Sequence, residues 1–211
     1  MSIFLDSAVI AEAQAASRLE WVAGITTNPV LLAKSGLPAV ETLRTLAHLT
    51  NGPVFYQLMS GSVGEMMTEA QRAKDLLGDQ LVLKMPPTEA CFTVAAEISS
   101  SIPVCITAVY SAAQAMVAEA AGARYIALYF NRARRLLPDA DSMVRAICAC
   151  LQGSKTEPIA ASIKSPEEAV QVRLLGVPHL TLPFTVLTAM MDHELSRSAL
   201  DEFIANGTGI L

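Results

Sequence analysis

Apolar residues form eight short runs along the chain, and each run is bounded by Gly, Pro, Asn or a charged residue. Runs of this length and composition predict strands that are buried on both faces of a parallel sheet. The predicted strands are Ile3–Asp6, Val22–Thr26, Val54–Leu58, Leu81–Met85, Val104–Ala108, Tyr125–Tyr129, Pro158–Ser162 and Leu180–Leu182.

The segments between these runs have the spacing of amphipathic helices, most clearly in residues 63–77. Ser165, followed by proline and two acidic residues, predicts the start of another helix. Asp141 is predicted to cap a helix that runs to Leu151. Residues 192–205 predict an additional helix beyond the eighth strand.

Strand and helix therefore alternate eight times, which is the pattern of a (β/α)8 TIM barrel. The structural alternative is an open, doubly wound sheet, which usually has a glycine-rich phosphate loop after its first strand. The sequence LDSAVIAE at this point is not such a loop. We predict an α/β fold with one barrel domain over residues 1–211, in which residues 192–211 form a C-terminal helix and tail.

Composition and charge exclude several classes of protein. The chain has 211 residues, of which 52% are apolar and 17% charged, so it can bury a sizeable core. Its apolar runs are much shorter than the roughly 18–20 residues of a membrane span. The net charge of −5 and the lack of a basic run argue against nucleic acid as a partner. Because the start MSIFLDSAV does not resemble a signal peptide, we expect a cytoplasmic protein.

The cysteines and histidines give no sign of a metal site. The four cysteines form no CxxC pair, and only three histidines are present. His48 and His193 fall in predicted helices, and His179 falls at the start of the eighth strand. We expect structural or bystander roles for the cysteines, structural or surface roles for the histidines, and neither a metal nor another cofactor.

In a TIM barrel, the active-site groups lie at the C-terminal ends of the strands. Seven of the eight predicted strands carry a polar residue at that end, where a purely structural barrel would have mostly apolar residues. In strand order, these residues are Asp6; Thr26 and Asn28; Gln57; Lys84; Thr107; Tyr129 with Arg132; and Ser162 with Lys164.

Lys84 is the most informative of these residues. It lies within LVLKMPP, and lysine is seldom buried without a specific role. An apolar setting disfavours the charged form of an amine, and a neutral amine can attack a carbonyl carbon to form a Schiff base. The alternatives are a lysine that extends to the barrel rim or one that pairs with Asp6.

The other strand-end residues form two possible groups. Arg132, Ser162 and Lys164 follow strands six and seven, where barrels often bind phosphate; the alternative is charge on solvent-exposed loops. A second set could hold one water molecule for proton transfer, or could make ordinary hydrogen bonds. This second set is Gln57, Thr107 and Tyr129.

The chain also resembles the small transaldolase family, and within it the fructose-6-phosphate aldolase branch. The resemblance covers nearly the whole length and rests on FLD at 4–6, GITTNP at 24–29, VLKMP at 82–86, TAVYSAAQA at 107–115, YIALYFNR at 125–132, AASIK at 160–164 and TLP at 181–183. It implies a Schiff-base enzyme that acts on a sugar phosphate or hydroxyketone. It also implies a homo-oligomer, a pentamer or decamer, although the tail after Ala205 is short for the exchanged C-terminal helix of such assemblies.

The resemblance further implies a role for each residue. Lys84 matches the imine-forming lysine, and Asp6 matches the aspartate that assists proton transfer and positions the substrate hydroxyls. The remaining residues match three sets: Thr26 and Asn28 for the dihydroxyacetone portion, Arg132, Ser162 and Lys164 for phosphate, and Gln57, Thr107 and Tyr129 for the catalytic water.

Three positions distinguish the branches of this family. Transaldolases tend to have Glu at the position of Gln57, Phe at that of Tyr129 and Asn at that of Cys105, so this chain resembles the aldolases.

We expect reversible cleavage of fructose 6-phosphate to dihydroxyacetone and glyceraldehyde 3-phosphate. The alternatives are a transaldolase of the pentose phosphate pathway, a non-catalytic sugar-phosphate-binding barrel and a metal-dependent aldolase. The loop after Arg132 reads ARRLLPDADS instead of the usual glycine-rich sequence, which affects the expected substrate preference.

Overall fold

The eight apolar runs form eight parallel strands, each within one residue of its predicted bounds. In the computed structural model, which describes residues 1–210, the strands close into a barrel in chain order, and β8 pairs with β1. The strands are β1 (Ser2–Asp6), β2 (Val22–Thr26), β3 (Val54–Gln57), β4 (Leu81–Met85), β5 (Val104–Val109), β6 (Tyr125–Tyr129), β7 (Glu157–Ala161) and β8 (His179–Leu182). The predicted (β/α)8 barrel is confirmed.

Eleven α-helices connect the strands and follow the last one in residues 1–210. They are α1 (Ile10–Ala16), α2 (Pro29–Ala33), α3 (Ala39–His48), α4 (Val63–Leu77), α5 (Glu89–Ile98), α6 (Ala112–Ala120), α7 (Phe130–Leu136), α8 (Ala140–Cys150), α9 (Pro166–Leu174), α10 (Phe184–Ala189) and α11 (Glu194–Asn206). Within this range, none of the helices combines the length and the apolar character needed to cross a membrane.

The helix caps agree with the sequence in one case and correct it in another. Ser165 caps α9 as predicted, since its side chain accepts a hydrogen bond from the Glu168 amide. The prediction for Asp141 is wrong: α8 is capped by Asp139, whose carboxylate accepts from the Ser142 amide at 2.9 Å. Because α8 begins at Ala140, Asp141 already lies in the first helical turn, where it cannot serve as the cap.

Inward-facing side chains fill the barrel, so the interior is a packed core. The inward apolar layer consists of Phe4, Phe55, Val82, Cys105, Ala127, Ile159 and Ala161. The rings of Phe4 and Phe55 meet edge to face with their centroids 5.4 Å apart. The outward side chains of the same strands, such as Leu5, Leu83 and Ile106, are completely buried against the helices.

Helix α11 differs from the others because none of its residues is buried. It confirms the predicted helix after the eighth strand. Its apolar side chains Leu195, Leu200, Phe203 and Ile204 are all more than half exposed, at 72%, 56%, 69% and 73%.

Two glycines allow β2 and the segment before β3 to come close together. A Cβ atom on Gly52 would overlap the carbonyl group of Ala23, and a Cβ atom on Gly24 would lie 2.5 Å from the Pro53 carbonyl oxygen. Backbone atoms cannot move aside as a flexible side chain can, so only glycine fits at these positions.

We predict that Gly52→Ala lowers the free energy of unfolding by about 1–3 kcal/mol, the usual cost of overpacking. Gly64→Ala is the matched control, because a Cβ atom there has open space and Gly64 lies in helix α4. This control should raise the free energy of unfolding by a few tenths to about 1 kcal/mol. Urea denaturation measures both, and equal stability of the two variants would contradict the close approach of β2 and β3.

Candidate active site

The candidate site is a polar layer directly above the apolar layer inside the barrel. Side chains two positions apart on a strand point to the same face. Each of five polar residues lies two positions beyond an inward apolar residue: Asp6, Gln57, Lys84, Thr107 and Tyr129. The barrel thus brings together, at its C-terminal end, residues that are up to 123 positions apart in the sequence.

Lys84 lies inside this layer with only 4% of its surface exposed, so it does not extend to the rim. Its Nζ donates a hydrogen bond to the backbone carbonyl of Thr27 at 2.9 Å. The salt bridges within residues 1–210 do not include a pair between Lys84 and Asp6. Neither alternative to a reactive lysine is therefore present in the structure.

Cys105 is the neighbour of Lys84 on β5 and is completely buried. Burial raises the pKa of its thiol to about 12, against the smaller opposing effect of the positive charge of Lys84. Cys105 is thus a neutral thiol near neutral pH and gives Lys84 no anionic partner.

A chain of hydroxyl groups orients Asp6. The Thr26 hydroxyl donates to Asp6 Oδ1 at 2.8 Å and lies 2.5 Å from the Thr181 hydroxyl. Because a hydroxyl has one proton and Thr26 gives it to the carboxylate, Thr181 must be the donor to Thr26. Asp6 Oδ2 accepts no hydrogen bond from residues 1–210, so this oxygen is available to a ligand.

Asn28 has a structural function at the site. Its Oδ1 accepts a hydrogen bond from the Leu31 amide at 3.0 Å and caps helix α2. The residue is half-buried and lies within the GITTNP motif, directly after Thr27. The cap fixes the orientation of the amide group relative to the barrel.

Tyr129 lies among three side chains that define its position. Its hydroxyl is 3.4 Å from that of Thr107, which is long for an O–H···O hydrogen bond. The guanidinium carbon of Arg132 lies 4.9 Å from the centre of the Tyr129 ring, and Tyr110 packs edge-on at a centroid distance of 6.0 Å. The phenol therefore reaches the same space as Thr107, and its ring contacts both Arg132 and Tyr110.

The three residues expected to bind phosphate follow the neighbouring strands β6 and β7. Arg132 and Lys164 are exposed, and Ser162 is half-buried. Ser162 adopts a left-handed backbone conformation with φ of 60°, which costs an L-residue about 1–3 kcal/mol. Such a conformation persists where its surroundings impose it, and it is typical of functional loops.

The sequence profile of the Transaldolase/Fructose-6-phosphate aldolase family matches residues 3–208. This chain belongs to that family. The probable transaldolase 1 of Listeria monocytogenes serotype 4b is 32% identical over 209 residues, which cover 98% of this chain and 97% of that protein. The probable transaldolase of Kosmotoga olearia is 32% identical over 219 aligned residues, which cover 100% of both chains.

Solved structures show the same architecture in distant proteins. The orotidine 5'-monophosphate decarboxylase of Metallosphaera sedula has a TM-score of 0.64 at 14% identity, with 97% of each chain covered. A mandelate oxidase variant has a TM-score of 0.64 at 18% identity, with 94% of this chain and 71% of that chain covered. At these identities the likeness shows the fold alone.

Membership of the family makes the chain an enzyme of the Schiff-base aldolase and transaldolase type. Family membership implies sugar phosphates as the substrate class. In residues 1–210, no group of three or more His, Cys, Asp or Glu side chains is placed to hold a metal ion.

His179 lies at the opposite end of the barrel from this layer. Its Nδ1 accepts a hydrogen bond from the Ser2 amide at 3.1 Å, and its Nε2 lies 3.3 Å from a Glu157 carboxylate oxygen. Burial lowers the pKa of His179, although the nearby carboxylate opposes this effect. At that end, a surface depression of about 710 Å3 is lined by Ala13, His48 and other residues, none of which belongs to the candidate site.

Two side chains in or beside the polar layer were not predicted from the sequence. Thr181 belongs to the one strand to which no polar end was assigned, yet it lies inward, two positions after His179. The alternation of side chains along β8 could have identified Thr181, because residues two positions apart point to the same face. Tyr110 follows β5 in the TAVYS motif and packs on Tyr129; its contact depends on the three-dimensional fold and has no local signal.

A third missed residue, Glu69 of α4, holds the loop after β3. Its carboxylate accepts from the hydroxyls of Tyr56 and Ser60, both at 2.6 Å, and from the amides of Met59 and Ser60 at 3.1 and 2.9 Å. Burial opposes the charge of Glu69, but these hydrogen bonds outweigh burial and lower its pKa. Burial, together with the bond to Glu69, raises the pKa of Tyr56. Because Gln57 directly follows Tyr56, Glu69 fixes the end of β3.

We predict that Glu69→Gln lowers the free energy of unfolding at pH 7 by about 1–3 kcal/mol, since an amide cannot accept all of these hydrogen bonds. Folding lowers the pKa of Glu69, so its contribution is present above the unfolded carboxyl pKa of about 4.3 and is lost as the pH falls through the lower folded value. The stability difference between wild type and variant should therefore shrink below a pH of about 4.5.

Urea denaturation across a pH series measures this difference. Glu97→Gln is the matched control, because Glu97 is exposed on α5 and its carboxylate makes no hydrogen bond within residues 1–210. The control should unfold like wild type at every pH. A difference for Glu69→Gln that stays constant with pH would contradict the assigned role.

Proposed function

We propose that the enzyme is a Schiff-base aldolase that reversibly cleaves fructose 6-phosphate to dihydroxyacetone and glyceraldehyde 3-phosphate. The observation that carries this proposal is the polar layer, in which a buried lysine, Lys84, shares the barrel interior with a phenol, Tyr129, and an amide, Gln57. A phenol can protonate a carbon centre, whereas an apolar ring at the same position cannot.

In the first step, the neutral Lys84 amine attacks the C2 carbonyl of the ketose, and loss of water gives the protonated imine. To reach the substrate, Nζ must leave its hydrogen bond to the Thr27 carbonyl. Asp6, oriented through Thr26, has Oδ2 free to accept a substrate hydroxyl and to assist proton transfer. Asn28 and Thr26 hold the dihydroxyacetone portion.

In the second step, a water molecule held by Gln57, Thr107 and Tyr129 removes the C4 hydroxyl proton. The C3–C4 bond breaks, its electron pair moves into the protonated imine, and glyceraldehyde 3-phosphate leaves. The resulting enamine on Lys84 takes a proton from Tyr129 and its water molecule, and hydrolysis of the imine releases dihydroxyacetone.

The substrate phosphate is proposed to bind to Arg132, Ser162 and Lys164. Arginine has a planar fork of N–H donors that suits phosphate, and lysine adds a second charge. Neither Arg132 nor Lys164 forms a salt bridge within residues 1–210, so both charges are available to a ligand.

The second candidate is a transaldolase, which keeps the three-carbon unit on Lys84 and passes it to an aldose phosphate. The names of both curated relatives, which are probable transaldolases, favour this candidate. The two candidates share every step up to the enamine and differ in whether the enamine is protonated or waits for an aldehyde.

We also propose that residues 1–211 act as one domain in a cytoplasmic homo-oligomer, a pentamer or decamer. The exposed apolar side chains of α11 support this assembly, because burying them between subunits would remove apolar surface from water.

Two measurements test the Schiff base and the reaction. Borohydride in the presence of dihydroxyacetone should add a stable mass to wild type and none to Lys84→Met. Glyceraldehyde 3-phosphate release from fructose 6-phosphate is then followed with and without erythrose 4-phosphate. Release without this acceptor is expected; release only in its presence would show that the enzyme is a transaldolase.

Tyr129→Phe tests the proton donor. We expect cleavage without an acceptor to fall by about 100-fold or more, since a general acid is removed, while transfer to erythrose 4-phosphate falls much less. Tyr110→Phe is the matched control, because it removes a neighbouring phenol outside the polar layer. Equal losses in both reactions for Tyr129→Phe would contradict a specific role in enamine protonation.

A further inference from the structure

Two segments at the barrel top carry the proposed phosphate-binding residues, and one carboxylate joins them. Asn131, in the first turn of α7, precedes Arg132, and its Nδ2 donates to Glu168 Oε1 at 2.7 Å. The other oxygen, Glu168 Oε2, accepts from the backbone amide of Lys164 at 2.8 Å. Glu168 therefore connects the segment after β6 with the segment after β7.

Backbone contacts reinforce this connection. The Asn131 amide donates to the carbonyl of Ser162 at 3.1 Å, which supports the left-handed conformation of Ser162. Glu168 itself lies in the first turn of α9, where its amide donates to the capping hydroxyl of Ser165 at 3.3 Å. Its carboxylate thus projects from a fixed helix end.

Its negative charge makes Glu168 itself an unfavourable ligand for phosphate. A carboxylate would repel a phosphate. Glu168 is nevertheless half-buried and contacts both segments that carry Arg132 and Lys164. It forms no salt bridge with either cation within residues 1–210. Its oxygens accept hydrogen bonds from neutral N–H donors instead. Arg132 and Lys164 are therefore not paired with Glu168 and are available to bind an anion.

We propose that Asn131 and Glu168 are positioning residues for the substrate phosphate, because their hydrogen bond sets the separation of Arg132 from Ser162 and Lys164. The proposal rests on the proposed function for its substrate, but concerns two residues to which that function gives no role. Preorganised donors bind more tightly than mobile ones, since less conformational freedom is lost on binding.

The first test is Asn131→Ala, which removes the side-chain hydrogen bond to Glu168, keeps the backbone hydrogen bond to Ser162 and leaves the charge of the site unchanged. KM and kcat are measured for the condensation of dihydroxyacetone with glyceraldehyde 3-phosphate and with unphosphorylated glyceraldehyde. We expect KM for the phosphorylated aldehyde to rise about tenfold, equivalent to about 1.4 kcal/mol. KM for glyceraldehyde, and kcat with either aldehyde, should change by less than about twofold.

Gln171→Ala is the matched control. It removes another hydrogen bond between α7 and α9, from Arg134 at 3.0 Å, together with the contact from Gln171 to the Asp141 carboxylate on α8. Neither contact involves Ser162 or Lys164. Both KM values should stay at the wild-type level. An equal rise for the two aldehydes in Asn131→Ala would mean a general loss of structure and would overturn the proposal.

Glu168→Gln distinguishes a positioning role of Glu168 from the electrostatic effect of its negative charge. Electrostatics alone predict a lower KM for glyceraldehyde 3-phosphate, because a negative charge near the phosphate is lost. Positioning predicts a higher KM, and the double variant with Asn131→Ala should then be no worse than the single variants, since both break one contact. A lower KM in Glu168→Gln would refute the positioning role.

A binding measurement keeps this inference separate from the proposed reaction. Inorganic phosphate should raise the Tm of wild type and Gln171→Ala more than that of Asn131→Ala. If wild type fails to cleave fructose 6-phosphate but shows this difference in Tm, the proposed function is wrong and the positioning of the anion stands. No difference in Tm between the variants contradicts the positioning.

Discussion

The register of the closed barrel is the constraint on which the candidate site depends. Because side chains alternate between the two faces of every strand, the residue two positions beyond an inward apolar side chain also points inward. Phe55 and Val82 fill the interior in this way, and Gln57 and Lys84 lie one layer above them. A shift by one residue in either strand would turn its polar group into the helix layer. The chemistry of the site and the packing of the core therefore follow from one geometric rule.

The two sides of the site are held in different ways. On the side of β1, β2 and β8, direct hydrogen bonds within the barrel orient Asp6 through Thr26. On the side of β3, β6 and β7, the polar side chains have few partners inside the barrel. There, carboxylates from the helix layer hold the loops: Glu69 binds the loop after β3, and Glu168 binds the segments after β6 and β7. The helices thus stabilise the barrel and also position its upper rim.

The strands and most of the polar layer could be predicted from the sequence, because both depend on local patterns. Lys84 and Tyr129 lie at or next to the last residue of an apolar strand, and the alternation along the strand shows which face each side chain is on. Glu69 and Glu168 could not be found this way, because their partners are identified only when loops from different units meet. The α8 cap was misplaced by two residues because Asp139 and Asp141 are chemically equivalent candidates, and only the backbone shows which one precedes the helix.

The cap on α2 has a consequence for what the barrel can recognise. Oδ1 of Asn28 already accepts from the Leu31 amide, whereas the two N–H donors of its amide nitrogen have no partner within residues 1–210 and are the groups most available to a ligand. In the proposed reaction, these donors would suit ligand groups with lone pairs, such as carbonyl and hydroxyl oxygens. Asp and Ser are equally good caps, but an ionised Asp offers only acceptors and a Ser hydroxyl has a single proton. A replacement that preserves the cap would thus change the donors and acceptors that this position presents at the top of the barrel.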